Sequence, residues 1–162
     1  EEIDLNQKVK LVLSDLELIV AEKKASFRIG QLPVIKGHRR QIQQLFQNLL
    51  NNAMKYGRPG VPPVVTISSQ ETNGARSGFN VAPDDLQKNF YLLEINDNGI
   101  GFELEYADKI FNVFTRLHGN NEYSGTGVGL AIVRKVVENH HGYIGVESTP
   151  GEGTTFRVLL PA

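Results

Sequence analysis

The stretch Gln44-Leu45-Phe46-Gln47-Asn48-Leu49-Leu50-Asn51-Asn52-Ala53-Met54-Lys55-Tyr56 decides how the rest of the chain is read. It lies in a helix predicted over residues 38–56, whose core face is Ile42, Leu45, Phe46, Leu49 and Ala53 at helical spacing. Gln44, Asn48, Asn52 and Lys55 recur at the same spacing and form a polar stripe beside it. Such a stripe is ordinarily a solvated face. Two asparagines near mid-helix, however, cost stability that Gln or Glu would not. Amide oxygens are hard ligands that suit Mg²⁺, and Lys55, one turn on, would face the same phosphates. The helix alone leaves both readings open. Gly57, Pro59, Gly60, Pro62 and Pro63 then stop it.

Upstream, Asn6 is a candidate cap for a first helix with the stripe Val9, Val12, Leu13, Leu16 and Ile19. A short alternating stretch around Phe27 and Ile29 follows, then a strand end and turn over residues 32–37. Downstream, residues 64–69 and 90–97 read as two antiparallel strands, joined by a polar surface excursion over about 70–89 that is too long for a tight hairpin. A short helix is predicted over 106–113 and a third long helix over 126–140, carrying Leu130, Val133, Val136 and Val137. Two strands near 143–147 and 154–160 close the chain through the turn Ser148-Thr149-Pro150-Gly151-Glu152-Gly153. The expected architecture is one α+β domain over residues 1–162, a two-layer α/β sandwich. Its mixed, mostly antiparallel sheet has about five strands, with three main helices on one face.

Two further segments carry chemistry. Asp97-Asn98-Gly99-Ile100-Gly101-Phe102 directly follows a strand. It can be an ordinary turn. It can also place a carboxylate beside a sterically open loop, where Asp97 accepts from an exocyclic amine and so selects adenine over guanine. Gly125-Thr126-Gly127-Val128-Gly129-Leu130 leads into the third helix, where glycine-exposed N–H groups form an anion site. No Lys-Ser/Thr follows, which excludes a Walker loop, and no strand precedes, which excludes a dinucleotide fingerprint.

Composition narrows the field. A net charge of -1 over 162 residues provides no broad basic field, so nucleic acid and direct membrane contact are poor partners. The absence of cysteine excludes disulfide frameworks and thiolate metal sites, and suits a reducing compartment. No apolar run is long enough to span a bilayer. The opening Glu1-Glu2-Ile3-Asp4-Leu5 reads as the middle of a larger protein.

In order and spacing these segments resemble the histidine-kinase branch of the superfamily that includes gyrase, heat-shock chaperones and MutL-type ATPases, which shares the Bergerat ATP-binding fold. Residues 44–56 are similar to its N box, 97–101 to its G1 box, Phe111-Asn112-Val113-Phe114-Thr115-Arg116 to its F box and 125–130 to its G2 box. Gly151-Glu152-Gly153-Thr154-Thr155-Phe156 is similar to its closing hairpin, and the match runs from about Asp4 to Pro161.

The resemblance implies ATP and Mg²⁺ as ligands, with Asn52 as the main metal ligand and Asn48 beside it. Lys55 and Arg116 would meet the phosphates, and Tyr56 would pack near the adenine. Asp97 would bind the adenine amino group, with Thr155 helping through water. Gly99 and Gly101 would shape the pocket. Gly125, Thr126, Gly127, Gly129 and Leu130 would hinge and seat a lid over about 115–124. Core packing is an equal reading for Phe111 and Phe114, and Tyr123 can anchor the lid or stand exposed.

In the ATP-hydrolysing members a glutamate one turn before the metal asparagine activates the attacking group; here that position is Asn48, and an amide cannot serve as general base. A neutral histidine needs none, so the residue choice favours phosphoryl transfer to histidine. None of His38, His118, His140 and His141 lies in a His-Glu-x-x-x-Pro motif. His38 reads as a capping or surface position, His118 as a contact beside the lid, and His140-His141 as a favourable helix-end charge.

The implied partners are therefore an upstream dimerisation and histidine-phosphoacceptor domain and, indirectly, a response-regulator receiver domain. The chain alone is expected to be a cytoplasmic monomer that binds ATP and transfers phosphate slowly or not at all. A degenerate nucleotide-binding module, a gyrase- or MutL-type ATPase and a pure protein-interaction domain are the competing readings.

Overall fold

The computed structural model describes residues 1–103 and 128–162. The predicted short helix over 106–113, the lid over 115–124 and residues 125–127 lie outside the described residues. So do Phe111, Phe114, Arg116, His118, Tyr123, Gly125, Thr126 and Gly127.

Five strands form the main sheet in the order β2-β4-β5-β7-β6, from β2 (Ser26–Ile29), β4 (Val64–Asn73), β5 (Asn89–Asp97), β6 (Tyr143–Thr149) and β7 (Gly153–Pro161). β2 runs parallel to β4, and every other pairing is antiparallel, as expected of a mixed, mostly antiparallel sheet. A separate two-stranded sheet pairs β1 (Glu2–Asp4) with β3 (Val34–Lys36). The helices α1 (Leu5–Asp15), α2 (Glu17–Lys23), α3 (Arg39–Lys55) and α4 (Val128–Asn139) supply the second layer. Ile42, Leu45, Phe46 and Leu49 of α3 and Val133 and Val137 of α4 share one apolar core with Val65, Ile67, Leu93, Ile95, Phe156 and Val158 of the sheet.

The first predicted helix is two. Leu16 leaves helical geometry at φ -100 and ψ 9, and its N–H is shared between the carbonyls of Val12 and Leu13. The change of direction keeps Leu16, Ile19 and Val20 packed against the core. The cap is Asp4, whose carboxylate accepts from the N–H groups of Asn6 and Gln7, and not Asn6. Asn6 instead clamps the loop after β2, donating to Gly30 O at 3.1 Å and accepting from Leu32 N–H at 2.8 Å.

The surface excursion is shorter than its polarity suggested. Residues 70–73 continue β4 and pair with residues 89–92, from Gln70 with Leu92 to Asn73 with Asn89. Backbone pairing does not require apolar side chains, and β2 covers β4 only as far as Ile67, so this half of the strand stays polar. The remaining connection, residues 74–88, folds back over the sheet. Val81 packs with Phe90, Leu92 and Leu159, and partly buried Phe79 and Tyr143 complete this second cluster. Tyr143 Oη donates to Asp85 and accepts from Ala82 N–H at 3.0 Å. The Arg157 guanidinium stacks 5.4 Å above the Phe79 ring. The helices occupy one face of the sheet, and this strap roofs part of the other.

The closing hairpin is likewise tighter than expected, with Ser148 paired to Thr154 and Thr149 to Gly153. Its turn is made by Gly151 at φ +79 and Gly153 at φ +129, conformations that favour glycine.

Candidate functional site

The site forms where the end of α3 meets the loop after β5. Along α3 the apolar stripe is buried, Asn48 and Asn52 are half-buried, and Gln44 and Lys55 are exposed. The helix ends on Tyr56, whose N–H reaches Asn52 O at 3.1 Å. Tyr56 O then accepts from Ile100 N–H at 2.9 Å, which joins the helix terminus to the Asp97–Gly101 loop. The junction has no room for a side chain at Gly99: a Cβ there would lie 2.4 Å from Tyr56 O and 2.9 Å from Asp97 Oδ1. Gly101, at φ +66, is held against the closing hairpin, and a Cβ there would lie 2.2 Å from Thr149 O.

Asp97 is buried at the end of β5. Its Oδ1 accepts from Gly99 N–H at 2.8 Å, and the main chain of Thr154 supplies a second hydrogen bond. Burial outweighs these two donors and pushes the carboxyl up from 3.8 to about 6. The group is thus held ionisable near neutrality, inside a cleft whose walls include Asn52, Tyr56, Ile100, Leu130 and Phe156. A carboxylate so placed accepts a hydrogen bond from a flat donor that enters the cleft.

Thr155 does not join this group. It pairs with Asn96 across the ladder, and its Oγ1 accepts from Asn96 Nδ2 at 2.7 Å. Side chains alternate across a strand, so its neighbour Thr154, paired with Asp97, faces the cleft instead. Thr154 is buried, its Oγ1 2.8 Å from Ser148 Oγ, and Ser148 Oγ also accepts from Phe102 N–H at 2.9 Å.

Lys55 lies apart from the cleft. It lines a neighbouring groove with Lys23, Lys24 and Arg58. Of the second glycine segment, Gly129 lies in α4, and Leu130 is buried on the cleft wall. The described residues thus bring together Asn52, Tyr56, Asp97, Gly101 and Leu130, with Gly99 packed beneath them.

Asn98, not singled out in the sequence, fixes the loop from its outer side. Its Oδ1 accepts from Val64 N–H at 2.8 Å, its Nδ2 donates to Pro62 O at 3.2 Å, and its main-chain O accepts from Arg58 Nε at 2.8 Å. An Asn between Asp and Gly signals a turn from sequence alone, but not which strand its side chain will hold.

Two of the histidines, His38 and His140, join the ends of α3 and α4. His140 is buried: Nδ1 donates to Val136 O at 2.8 Å, and Nε2 accepts from His38 N–H at 3.0 Å. The ring thereby bridges two helix ends. His38 caps α3 by position without a side-chain hydrogen bond, its ring edge-on to His140 at 5.3 Å. Among the described residues no three His, Cys, Asp or Glu side chains are grouped to hold a metal, and no helix is long and apolar enough to cross a membrane.

Residues 37–162 match the family described as histidine kinase-, DNA gyrase B- and HSP90-like ATPase. The chain is 34% identical over 158 residues to the phytochrome-like protein Cph1 of Synechocystis sp., covering 98% of this chain and 19% of that protein. It is 38% identical over 162 residues to cyanobacterial phytochrome B of Nostoc sp., covering 99% of this chain and 20% of that protein. The chain therefore spans about a fifth of the length of these relatives. In fold it is similar to the mycobacterial sensor histidine kinase MprB, with a TM-score of 0.75 at 24% identity, covering 99% of this chain and 97% of that one. ShkA, solved in complex with AMPPNP, has a TM-score of 0.75 at 21% identity, covering 99% of this chain and 30% of that one.

Proposed function

Since the chain belongs to the histidine kinase-, DNA gyrase B- and HSP90-like ATPase family, as the catalytic ATP-binding domain of a sensor histidine kinase, we propose that it binds Mg-ATP. It then donates the γ-phosphoryl group to a histidine of a helical dimerisation domain in two-component signalling. The observation that carries this reading is Asp97, a buried carboxylate bonded to Gly99 at the end of β5 and sharing one cleft with Asn52 and Tyr56.

In this reading Asp97 accepts from the adenine amino group while Gly99 and Gly101 let the base approach the backbone. Thr154 supports the carboxylate from the next strand. Asn52, on the cleft wall, and Asn48, one turn before it, are half-buried and carry amide oxygens of the hard type that Mg²⁺ takes, so the residue types suit the metal. Bound there, Mg²⁺ would supply charge neutralisation along the phosphates. Lys55, on a flexible exposed stem, and Arg116 are the cations that would complete it. The glycine segment leading into α4, with Gly125, Thr126, Gly127 and Gly129, would offer backbone donors to the phosphates. Asn48 holds the place of a general base and cannot act as one, so the chain positions reactants and leaves the nucleophile's lone pair to the acceptor histidine.

The test is titration with a non-hydrolysable ATP analogue, with and without Mg²⁺, beside an Asp97→Asn variant. Magnesium-assisted binding lost in the variant is the expected result. Phosphorylation of the separately produced helical domain, absent in Asn52→Ala, tests the transfer. Steady ATP hydrolysis by the chain alone would favour an ATPase instead.

A further inference from the structure

Lys23, Lys24, Lys55 and Arg58 border one groove of about 580 Å³ at the end of the sheet, where α2, the C-terminus of α3 and the 57–63 turn meet. The chain as a whole carries a net charge of -1, so this concentration is local and not a sample of a basic surface. Among the described residues none of the three lysines is ion-paired with a carboxylate; the bridges fall on Arg39, Lys88, Arg134 and Arg157. Among the described residues no acidic side chain lines the groove, whose remaining wall is the 57–63 turn, with Pro62 and Pro63 in it. Four like charges around one concavity repel, and a folded domain of ordinary marginal stability gains when a counter-charge settles there. The volume lies in the range of small-ligand sites, and the prolines fix the wall's backbone in advance.

We propose that this groove binds a small, multiply charged anion of the oligophosphate class, at a site separate from the adenine cleft. Arg58 ties the two together, because its Nε holds Asn98 O at 2.8 Å, next to Asp97. Asn98 in turn bonds to Pro62 O in the groove wall at 3.2 Å. An anion drawing on Arg58 and Lys55 therefore acts on the loop that carries Asp97. The groove shares Lys55 with the nucleotide reading and draws its other cations, Lys23, Lys24 and Arg58, from outside it.

Inorganic tripolyphosphate, titrated calorimetrically into the full chain in EDTA, should bind at one site with an affinity that falls as salt rises. Lys23→Gln with Lys24→Gln should weaken it about tenfold and leave binding of the ATP analogue with Mg²⁺ unchanged. Asp97→Asn should leave tripolyphosphate binding in place, so failure of the nucleotide site and failure of the groove read out separately. The proposal is overturned by no binding, by undiminished binding in the double lysine variant, or by complete displacement when the ATP analogue saturates the wild-type chain.

Discussion

Tyr56 and Ile100 are joined main chain to main chain, with Ile100 N–H donating to Tyr56 O at 2.9 Å. The final carbonyl of the asparagine-bearing helix is thereby satisfied by the loop that carries Asp97, which ties the two halves of the site together. Gly99 is packed into this junction. Gly99→Ala should destabilise the fold by about 1–3 kcal/mol through overpacking, because the obstructing atoms are backbone and cannot rotate away. Urea unfolding measures the first effect, and a parallel loss of ATP-analogue affinity, absent in Asn96→Ala on the opposite face, the second.

Asp97 makes stability depend on pH in a direction opposite to most carboxylates. Its folded value, about 6, lies above the ordinary 3.8, so the folded state holds the proton more readily than the unfolded. The resulting stability is complete below about pH 4 and is lost as pH rises through about 6. The difference corresponds to about 3 kcal/mol. Asp97→Asn should therefore raise stability above pH 6 and flatten this part of the profile while removing nucleotide binding. Thermal melts of both proteins between pH 4 and 8 decide it.

The same titration should appear in binding. The ionised carboxylate accepts from an amine, and the neutral acid loses half of that capacity. Affinity for an adenine nucleotide should fall as pH drops through about 6, once the phosphate titration measured on the free ligand is subtracted. A flat wild-type profile from pH 5 to 7.5 would remove Asp97 from the base contact.

His140 bridges α4 to α3 by accepting the N–H of His38, the donor that a local capping side chain would otherwise satisfy. His140→Ala should cost about 2–4 kcal/mol, part from the orphaned N–H and part from the cavity. His140→Gln, which can present an acceptor, should recover some of that loss. Hydrogen exchange at the His38 amide should rise in the first variant more than in the second.

Replacing residues 75–87 by a short turn should expose Phe90, Leu92 and Leu159, which the strap buries with Val81. At about 25 cal/mol per Å² of apolar surface, losing several such contacts costs a few kcal/mol. Binding of the ATP analogue should persist, because Asp97 and Asn52 lie on the other side of the sheet. Loss of binding at a temperature where the shortened chain is still folded would show the strap to be part of the site.

The positions of α3 and the Asp97 loop were legible because each is specified locally, by apolar period in one case and by Asp-Asn-Gly in the other. What sequence could not settle was decided by partners distant along the chain. Thr154 and Thr155 are adjacent and chemically alike, and only the register of β7 against β5 says which faces Asp97. Asp4 and Asn6 are both good caps, and Asn6 is claimed by Gly30 and Leu32 across a loop. The polar residues 70–73 read as loop because the signal for strand is side-chain pattern, whereas what holds them is backbone pairing to β5. The bridge made by His140 depends on a contact 102 residues away in the chain.

The strap has a further bearing on how this domain meets other proteins. With Phe79 and Val81 laid over β5, β6 and β7, part of the face away from the helices is already occupied from within. A neighbouring domain cannot rest there without first peeling the chain's own segment away. The surfaces left open to such a neighbour include the helical side and the rim beside Asp97.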